Sequence, residues 1–273
     1  MKSSFPVPVD QPIHDGRKML VLLKTTQCVQ FKTLMESLKE LLTEVNMEFI
    51  EGAGVKLVSI DPGCVAMIHL EINAVEYFFA KGKVTAGISI LLLYRIIRSL
   101  TSGDYMEWRI YEDEPHSMYV EFPNNERRTN TINKIKLLDL DEMSIHIPHV
   151  EFDRVVSMPS SEFSKHVKEM TNISKLITVR ATKNTLEFVA EGDMATIHIT
   201  VQPTASGLNW KHSEDSMEDI EGKFIVKYLD KFCKCNVNNN VELFLKNDFP
   251  LVFRYELSIG TLRFCIAPVK DEE

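Results

Sequence analysis

Short stretches along this chain alternate apolar and polar residues with a period of two, which is the pattern of β-strands. Four segments instead place apolar residues three and four positions apart, which is the spacing of an amphipathic helix. These segments are Gln30–Val45, Ile88–Arg98, a segment that begins at Pro159, and Phe224–Cys235. The pattern therefore predicts an α+β protein with two helices in each half.

The order of the predicted elements in the first half recurs in the second half. Phe31 and Phe163 begin equivalent helices 132 positions apart, and GVKLVSIDPGCVAMIHLEI has the layout of NTLEFVAEGDMATIHITV. We interpret this recurrence as an internal duplication, because chance would not preserve the order of so many elements. The predicted parts are a flexible, proline-bearing leader at 1–17, domains at 18–136 and 150–273, and a connecting segment at 137–149.

The connecting segment, LLDLDEMSIHIP, changes its apolar face midway. Leu138 and Leu140 fall on one side of an extended chain. Met143, Ile145 and Ile147 fall on the other side. A strand that lies on one core keeps a single face buried, because its side chains alternate with period two. The segment is therefore predicted to be a tether that crosses between two cores.

Length and composition set the class of protein. A chain of 273 residues allows one large domain or two of ordinary size, and its apolar fraction of 44% is normal for a globular protein. Five cysteines without framework spacing indicate reduced thiols in an intracellular protein. The longest apolar run, Ile88 to Tyr94, is too short to span a bilayer. We expect a soluble protein without membrane contact.

The four predicted helices together carry a positive charge although the chain is acidic. Their segments, taken to Thr43 in the first helix, carry nine Lys/Arg against five Asp/Glu, whereas the whole chain has a net charge of −8. Lysines on one amphipathic helix are ordinarily just its solvent face. Four helices that share regularly spaced basic residues in an acidic chain favour a positive track for a phosphate backbone. Its candidate residues, all at helical spacing, are Lys32, Lys39, Arg95, Arg98, Lys165, Lys168, Lys227, Lys231 and Lys234.

Motifs for catalysis or cofactor binding do not occur in the sequence. There is no GxxxxGK[ST] and no GxGxxG to cradle a nucleotide. Cys233 and Cys235 form a C-x-C without a second ligand pair, and His146 and His149 would not converge on an extended tether. The sequence therefore predicts no cofactor, no metal site and no enzymatic activity.

Six segments, in order, resemble the sliding clamps of the proliferating cell nuclear antigen family. They are FKTLMESLKELL, VKLVSIDPGCVAMIHL, KLLDLDEMSIHIP, MPSSEF, FIVKYLDKF and LRFCIAPVKDEE. The likeness runs from about Met19 to the C-terminus. It implies a homotrimeric ring of six similar domains, with antiparallel sheets outside and four helices of each chain lining a hole around duplex DNA. The implied function is that of a DNA sliding clamp and polymerase processivity factor.

The resemblance also implies sites. The tether corresponds to the family's interdomain connecting loop, which docks short peptides of the PIP-box type. The implied peptide pocket consists of Ile60, Val65, Met143, Ile145, Ile147, Pro250, Ala267 and Pro268. The implied subunit contacts lie on two edge strands, at Asn130, Ile132, Lys134 and Lys136 and at Ala195, Ile197, Ile199 and Val201. Lys183 aligns with a lysine that the family modifies with ubiquitin. Cys64 and Cys265 depart from the histidine and the aromatic residue expected at the pocket.

The implied partners are duplex DNA bound without sequence preference, further copies of this chain, a DNA polymerase, a clamp loader and other proteins with PIP-box-like peptides. The implied location is the nucleus, or a host nucleus or viral factory for a viral protein. Two alternatives stay open. One is a monomeric or hetero-oligomeric adaptor of the same fold, such as a checkpoint-type clamp or a transcription cofactor. The other is a hydrolase on an unrelated α+β fold.

Overall fold

The computed structural model describes residues 11–61, 63–124, 128–141, 150–213, 218–234 and 239–269. The chain divides into two compact units. Unit 1 comprises residues 1–59, 69–145 and 257–261, and unit 2 comprises residues 60–68, 146–256 and 262–273. The predicted domain boundaries along the sequence stay a prediction.

Both halves of the chain fold in the same order: a strand, a helix, five strands, a second helix and three strands. A short extra strand precedes the first half. The elements of the first half are β1 (Ile13–His14), β2 (Arg17–Thr25), α1 (Cys28–Leu38), β3 (Glu44–Ile50), β4 (Gly54–Ile60), β5 (Ala66–Ile72), β6 (Tyr77–Ala80), β7 (Lys83–Ser89), α2 (Ile90–Ile97), β8 (Met106–Tyr111), β9 (Glu114–Asn124) and β10 (Thr129–Lys136). Those of the second half are β11 (Arg154–Pro159), α3 (Ser160–Thr171), β12 (Leu176–Ala181), β13 (Leu186–Glu191), β14 (Thr196–Val201), β15 (Asn209–Ser213), β16 (Ile220–Ile225), α4 (Val226–Cys233), β17 (Asn240–Leu245), β18 (Leu251–Leu257) and β19 (Gly260–Ile266). The repeated order confirms the predicted two-domain α+β fold.

Each unit combines sheets with a pair of packed helices. In unit 1, one sheet has the order β1-β2-β8-β9-β10 with β6 also paired to β2, and a second run has the order β5-β4-β3-β7. In unit 2 the order β15-β11-β17-β18-β19 corresponds to the first of these, and the order β14-β13-β12-β16 corresponds to the second. Pairs such as β9 with β10 and β13 with β14 are antiparallel. Helix α1 packs on α2, and α3 packs on α4.

The duplicated phenylalanines occupy equivalent places in the two cores. Phe31 on α1 is fully buried and meets Trp108 edge to face, with ring centroids 5.3 Å apart. Phe163 on α3 is also buried and packs on Phe253 at 5.3 Å. Aromatic side chains of this size contribute much of the buried area of a core. The repeat in the sequence therefore places a buried phenylalanine at the same position of each core.

The first helix is shorter than its apolar pattern predicts. The pattern runs from Gln30 to Val45, whereas α1 ends at Leu38. The N–H of Leu42 still bonds the Leu38 carbonyl, at 2.8 Å, but Val45 already lies in β3 and pairs with Ile88. Strand pairing thus overrides the helical spacing of the last apolar residues.

The end of the leader is ordered, which corrects the prediction of a flexible segment for 13–17. Asp15 and Gly16 both have positive φ, 51° and 75°, as a two-residue hairpin turn requires. His14 meets the Arg109 guanidinium at 2.7 Å. A guanidinium only donates, so the imidazole Nε2 accepts. Residues 1–10 lie outside the part of the chain that the structure describes.

Candidate partner pocket and nucleic-acid interface

Val65 and Ala267 of the predicted pocket lie side by side in unit 2. Strand β4 ends at Ile60, the chain turns, and Val65 leads into β5. The Val65 carbonyl accepts the Ala267 N–H at 2.9 Å. Ile60, Val65 and Ala267 are all half-buried, as the lining of a surface pocket would be.

A cavity of about 570 Å³ opens in unit 2 beside Pro268. Pro250 lies between Phe249 and Leu251, which both line the cavity. Its other lining residues are Val179, Ile220, Glu221, Gly222, Lys223, Phe224, Leu245, Lys246, Asp248 and Val269. The lining surface thus mixes apolar side chains with charged and other polar groups in about equal measure. The apolar part of this lining can take up an apolar side chain of a ligand.

Aromatic residues that the sequence did not single out support this cavity. Phe152 meets Phe249 and Phe244 edge to face, with ring centroids 6.3 Å and 5.4 Å apart. Their spacing along the chain carries no signal, because they come from separate segments. Lys246 is held by the Glu151 carbonyl at 3.0 Å.

The two cysteines near the predicted pocket differ in their surroundings. Cys64 is exposed and has a positive φ of 54°. Burial raises the pKa of Cys265 to about 11, so its thiol stays protonated at neutral pH. The half-buried, protonated thiol of Cys265 behaves as a small, weakly polar group. Cys265 therefore makes this part of unit 2 less polar.

The connecting segment begins as an addition to the edge of β7 in unit 1. The N–H of Leu138 bonds the Gly87 carbonyl at 2.8 Å. A Cβ on Gly87 would overlap the Leu138 backbone, so only glycine permits this approach. The Asn46 amide donates to the Asp141 carbonyl at 3.1 Å. Met143, Ile145 and Ile147 lie outside the described residues.

In unit 1, two of the predicted DNA contacts have structural roles. The Lys32 amine donates to the Leu100 carbonyl at 2.8 Å. Lys39 caps α1, pairs with Glu40 at 3.1 Å and lies over the ring of Tyr94. A cation at a helix C-terminus interacts favourably with the helix dipole. The exposed Arg95 and Arg98 of α2 are better placed to meet a ligand.

In unit 2, the basic side chains of α3 and α4 differ in their exposure and in their ion pairs. Lys165, Lys168 and Lys227 are exposed and make no ion pair with any residue that the structure describes. Lys231 is half-buried, and Lys234 caps α4 and pairs with Asp230 at 3.4 Å. The two lysines of α3 border a shallow depression of about 440 Å³ with Ser161, Ser164, Glu169 and Asn172. Such a surface can bind phosphate oxygens through ammonium, hydroxyl and amide groups.

The predicted subunit contacts fall on two sheet edges of the described chain. Strand β10 ends one sheet of unit 1, and β14 ends one sheet of unit 2. On β10, Ile132 is 55% exposed and Asn130 and Lys136 are exposed, whereas Lys134 pairs with Glu114. The residues predicted on or beside β14 are the half-buried Ile197, Ile199 and Val201 and the exposed Ala195. The sequence did not single out Met194, which is 98% exposed beside this edge.

Other predictions can be placed in the described part of the chain. Lys183 is exposed in the turn that Thr182 and Thr185 hold with a hydroxyl–hydroxyl bond of 2.7 Å. Within the described ranges, no group of three or more His, Cys, Asp or Glu could hold a metal, and no helix is long and apolar enough to cross a membrane. The cysteines described in the structure form no disulfide.

A duplicated unit of paired helices and antiparallel sheets is the architecture of the DNA clamps. The comparisons agree with this class. The N-terminal domain of proliferating cell nuclear antigen matches residues 20–144, and the C-terminal domain matches residues 146–270. The chain belongs to the proliferating cell nuclear antigen family.

Individual relatives are distant but span the chain. A protein of Paramecium bursaria Chlorella virus 1, named "Probable DNA polymerase sliding clamp 1", is 28% identical over 261 residues and covers 93% of this chain and 99% of its own length. Proliferating cell nuclear antigen of Saccharomyces cerevisiae is 28% identical over 251 residues, with 89% and 95% covered. The crystal structure of the Entamoeba histolytica protein has a TM-score of 0.83 at 23% identity, covers 92% of this chain and 100% of that chain, and shows the shared fold.

Family membership also bears on catalysis. Clamps of this family are non-enzymatic scaffolds, so the prediction that the chain is not an enzyme is confirmed. The alternative of a hydrolase on an unrelated fold is wrong for the same reason.

Proposed function

We propose that three copies of this chain close into a ring around duplex DNA, where the ring serves a DNA polymerase as its processivity factor. The observation that carries the proposal is the presence of two different open sheet edges, β10 in unit 1 and β14 in unit 2. An open edge presents unpaired backbone groups that can extend the sheet into another chain. Two different edges join copies head to tail, and such a contact closes into a ring when the rotation permits.

The side chains on β14 support its use as a contact. Register places Ile199 opposite Phe188 and Ile197 opposite Ala190, and both partners are buried. Residues directly opposite in a ladder share one face of the sheet. Ile197 and Ile199 therefore face the core side but stay half-exposed, because β14 is the last strand of this sheet in the described part of the chain. A neighbouring strand such as β10 would complete their burial.

A ring holds DNA by enclosure, so its contacts with the duplex can be weak. We infer that the exposed basic residues of the helices face the phosphate backbone without reading sequence. The net charge of −8 over the whole chain limits the attraction and lets the ring slide. The nucleus, or the replication site of a virus, is the compartment that this role requires.

We further propose that unit 2 docks peptides of the PIP-box type, carried by polymerases, a clamp loader and other proteins. The cavity beside Pro268 and the paired Val65 and Ala267 support this proposal, because a docking peptide needs a concave apolar patch beside exposed backbone. Met143, Ile145 and Ile147 of the connecting segment are proposed to complete the patch.

The ring makes a topological prediction. We expect a trimer by light scattering at micromolar concentration, and a protein that stays on nicked circular DNA after a loader places it there. Linearising that DNA should release it, because enclosure fails once an end is free. A monomer in solution, or equal retention on linear DNA, would contradict the ring. A requirement for other subunits would instead favour the hetero-oligomeric adaptor.

The proposed DNA interface makes a second prediction. Replacing both Lys165 and Lys168 by alanine should weaken DNA binding and lower the slope of log affinity against log salt by about 1 to 2, since each lost phosphate contact releases about one counterion fewer. Fluorescence anisotropy over a salt series measures this slope. The matched control replaces the exposed Lys183 and Lys211 of the same unit, which lie between β12 and β13 and on β15 and not on a helix. An equal loss in both variants would indicate a net-charge effect and not an interface.

A further inference from the structure

The carboxylate of Asp61 is the centre of a hydrogen-bond network in unit 2. Its side chain is buried, with 6% of the residue exposed. Oδ1 accepts the backbone N–H of Val65 at 2.8 Å and of Ala66 at 2.6 Å. Oδ2 accepts the N–H of Gly63 at 2.9 Å and the hydroxyl of Tyr228 at 2.5 Å. One side chain thus satisfies four donors, two of them in the turn that precedes β5 and a third at the first residue of that strand.

This turn depends on the carboxylate for its shape. Cys64 has a φ of 54°, a conformation that a residue with a side chain rarely adopts. At Gly63, a Cβ would lie 2.9 Å from Oδ2 of Asp61 and 3.0 Å from the Tyr228 hydroxyl. The backbone folds so closely around the acid that only glycine fits there. Without the acid, these N–H groups would lose the acceptor that draws the chain into this conformation.

The ionisation of both partners follows from their contact. Burial alone would raise the pKa of Asp61, but the Tyr228 hydroxyl and the backbone donors outweigh it and lower the pKa below its usual value. The hydrogen bond to Asp61, with burial, raises the pKa of Tyr228 to about 12. The bond between phenol and carboxylate is therefore intact from below the normal pKa of an aspartate up to the raised pKa of Tyr228, about 12. It is lost only below or above that range.

The network joins three separate segments of unit 2. Tyr228 lies on α4, directly after the exposed Lys227. The turn ends at Val65, whose carbonyl accepts the Ala267 N–H at 2.9 Å. Asp61 therefore connects the turn to α4 by its side chain, and to the segment of Ala267 and Pro268 through Val65. Val65 at the end of the turn and the segment of Ala267 and Pro268 belong to the proposed peptide pocket.

We propose that Asp61 is a positioning residue for partner docking, and that it acts through its hydrogen bond with Tyr228. The carboxylate does not touch the peptide. It holds Val65 beside Ala267 in the spacing that the peptide requires, so binding depends on a group outside the binding surface. This inference rests on the proposed docking function.

The two oxygens of Asp61 permit a graded set of variants. Tyr228→Phe removes one hydrogen bond and keeps the ring. Asp61→Asn keeps one oxygen for Val65 and Ala66 but turns an NH₂ group toward the N–H of Gly63, where two donors oppose each other. Asp61→Ala removes all four bonds. The exposed Asp219, which pairs with Arg180 in the same unit, supplies the control Asp219→Asn.

The test measures binding of a fluorescent synthetic PIP-box peptide to the full-length wild type and these variants. We expect affinity to fall about fivefold in Tyr228→Phe and tenfold or more in Asp61→Asn, as each hydrogen bond near 1 kcal/mol contributes about a factor of five. Asp61→Ala should bind least. Affinity for duplex DNA and the oligomeric state should stay as in the wild type, and the Asp219→Asn control should bind the peptide normally.

A second measurement separates positioning from general stability. The titration of the Tyr228 ring, followed by NMR of labelled tyrosine, should shift from about 12 toward the ordinary 10 in Asp61→Asn. If Asp61→Ala does not fold, Tyr228→Phe decides the question, since it retains the packing. Wild-type affinity in both Tyr228→Phe and Asp61→Asn would overturn the positioning role and leave the docking proposal in place. A wild type that does not bind the peptide would overturn both.

Discussion

Replacing Ile199 by arginine should dissociate the proposed trimer into monomers and abolish its retention on nicked circular DNA. Ile199 lies on β14, half-buried and on the core side of the sheet opposite Phe188. In a ring the neighbouring strand would bury this position, and a guanidinium there would have no partner. Burying an unpaired charge or polar group costs several kcal/mol. A loss of about 3 kcal/mol per contact raises the dissociation constant more than a hundredfold.

The matched control is the next residue of the same strand. Thr200 is exposed, lies opposite Glu187 and points to the other face of the sheet. Thr200→Arg adds the same charge to the same edge, but the face stays in water even when the strand is paired. We expect Thr200→Arg to remain trimeric by light scattering. Dissociation of both variants, or of neither, would show that the core-facing side of β14 is not the contact.

Replacing Gly260 by alanine should lower the free energy of unfolding by more than about 3 kcal/mol, the range of severe backbone and packing defects. Gly260 begins β19 with a φ of 154°, and an added Cβ would overlap the backbone carbonyl of Glu71 in unit 1. The neighbouring Ile259 is buried, and its carbonyl accepts the N–H groups of Asn73 and Ala74. The backbone therefore cannot move away to make room. Urea unfolding at fixed protein concentration measures the change.

Gly103 separates the overlap from the dihedral angle. Its φ is 99°, also in the region that favours glycine, but a Cβ there would meet nothing within 4 Å. We expect Gly103→Ala to cost about 1 to 2 kcal/mol, the strain of the dihedral angle alone. A similar loss in both variants would show that the close approach at Gly260 relaxes at little cost.

Periodicity predicted the elements of this protein well because their patterns are local. The apolar stripes that contain Phe31 and Phe163 identified one helix in each half, and the equivalent places of the two phenylalanines identified the duplication. Periodicity gave a wrong boundary where the helical spacing of apolar residues continues from a helix into the next strand. Val45 continues the helical spacing of α1, yet it lies in β3 because its backbone pairs with Ile88. Strand pairing is a non-local interaction, and no window of the sequence contains both partners.

Some features that the sequence analysis overlooked did have a local signal. Asp15 and Gly16 form the dipeptide that favours a two-residue hairpin turn, and Asp61 precedes Pro62 and Gly63 in the manner of a turn whose acid caps the backbone. Other features had none. Phe152, Phe244 and Phe249 meet only because three segments converge.

The sequence by itself determined the family, the duplicated α+β fold and the basic character of the helices, because these properties depend on residue type and spacing along the chain. Only the tertiary structure decided how the individual residues are used. It assigned Lys32 to a carbonyl of its own unit, exposed Lys165 and Lys168, and left β10 and β14 as open edges. It also joined Asp61 to Tyr228 across 167 positions of sequence. Hydrogen bonds and burial depend on distances in space, which chain order does not contain.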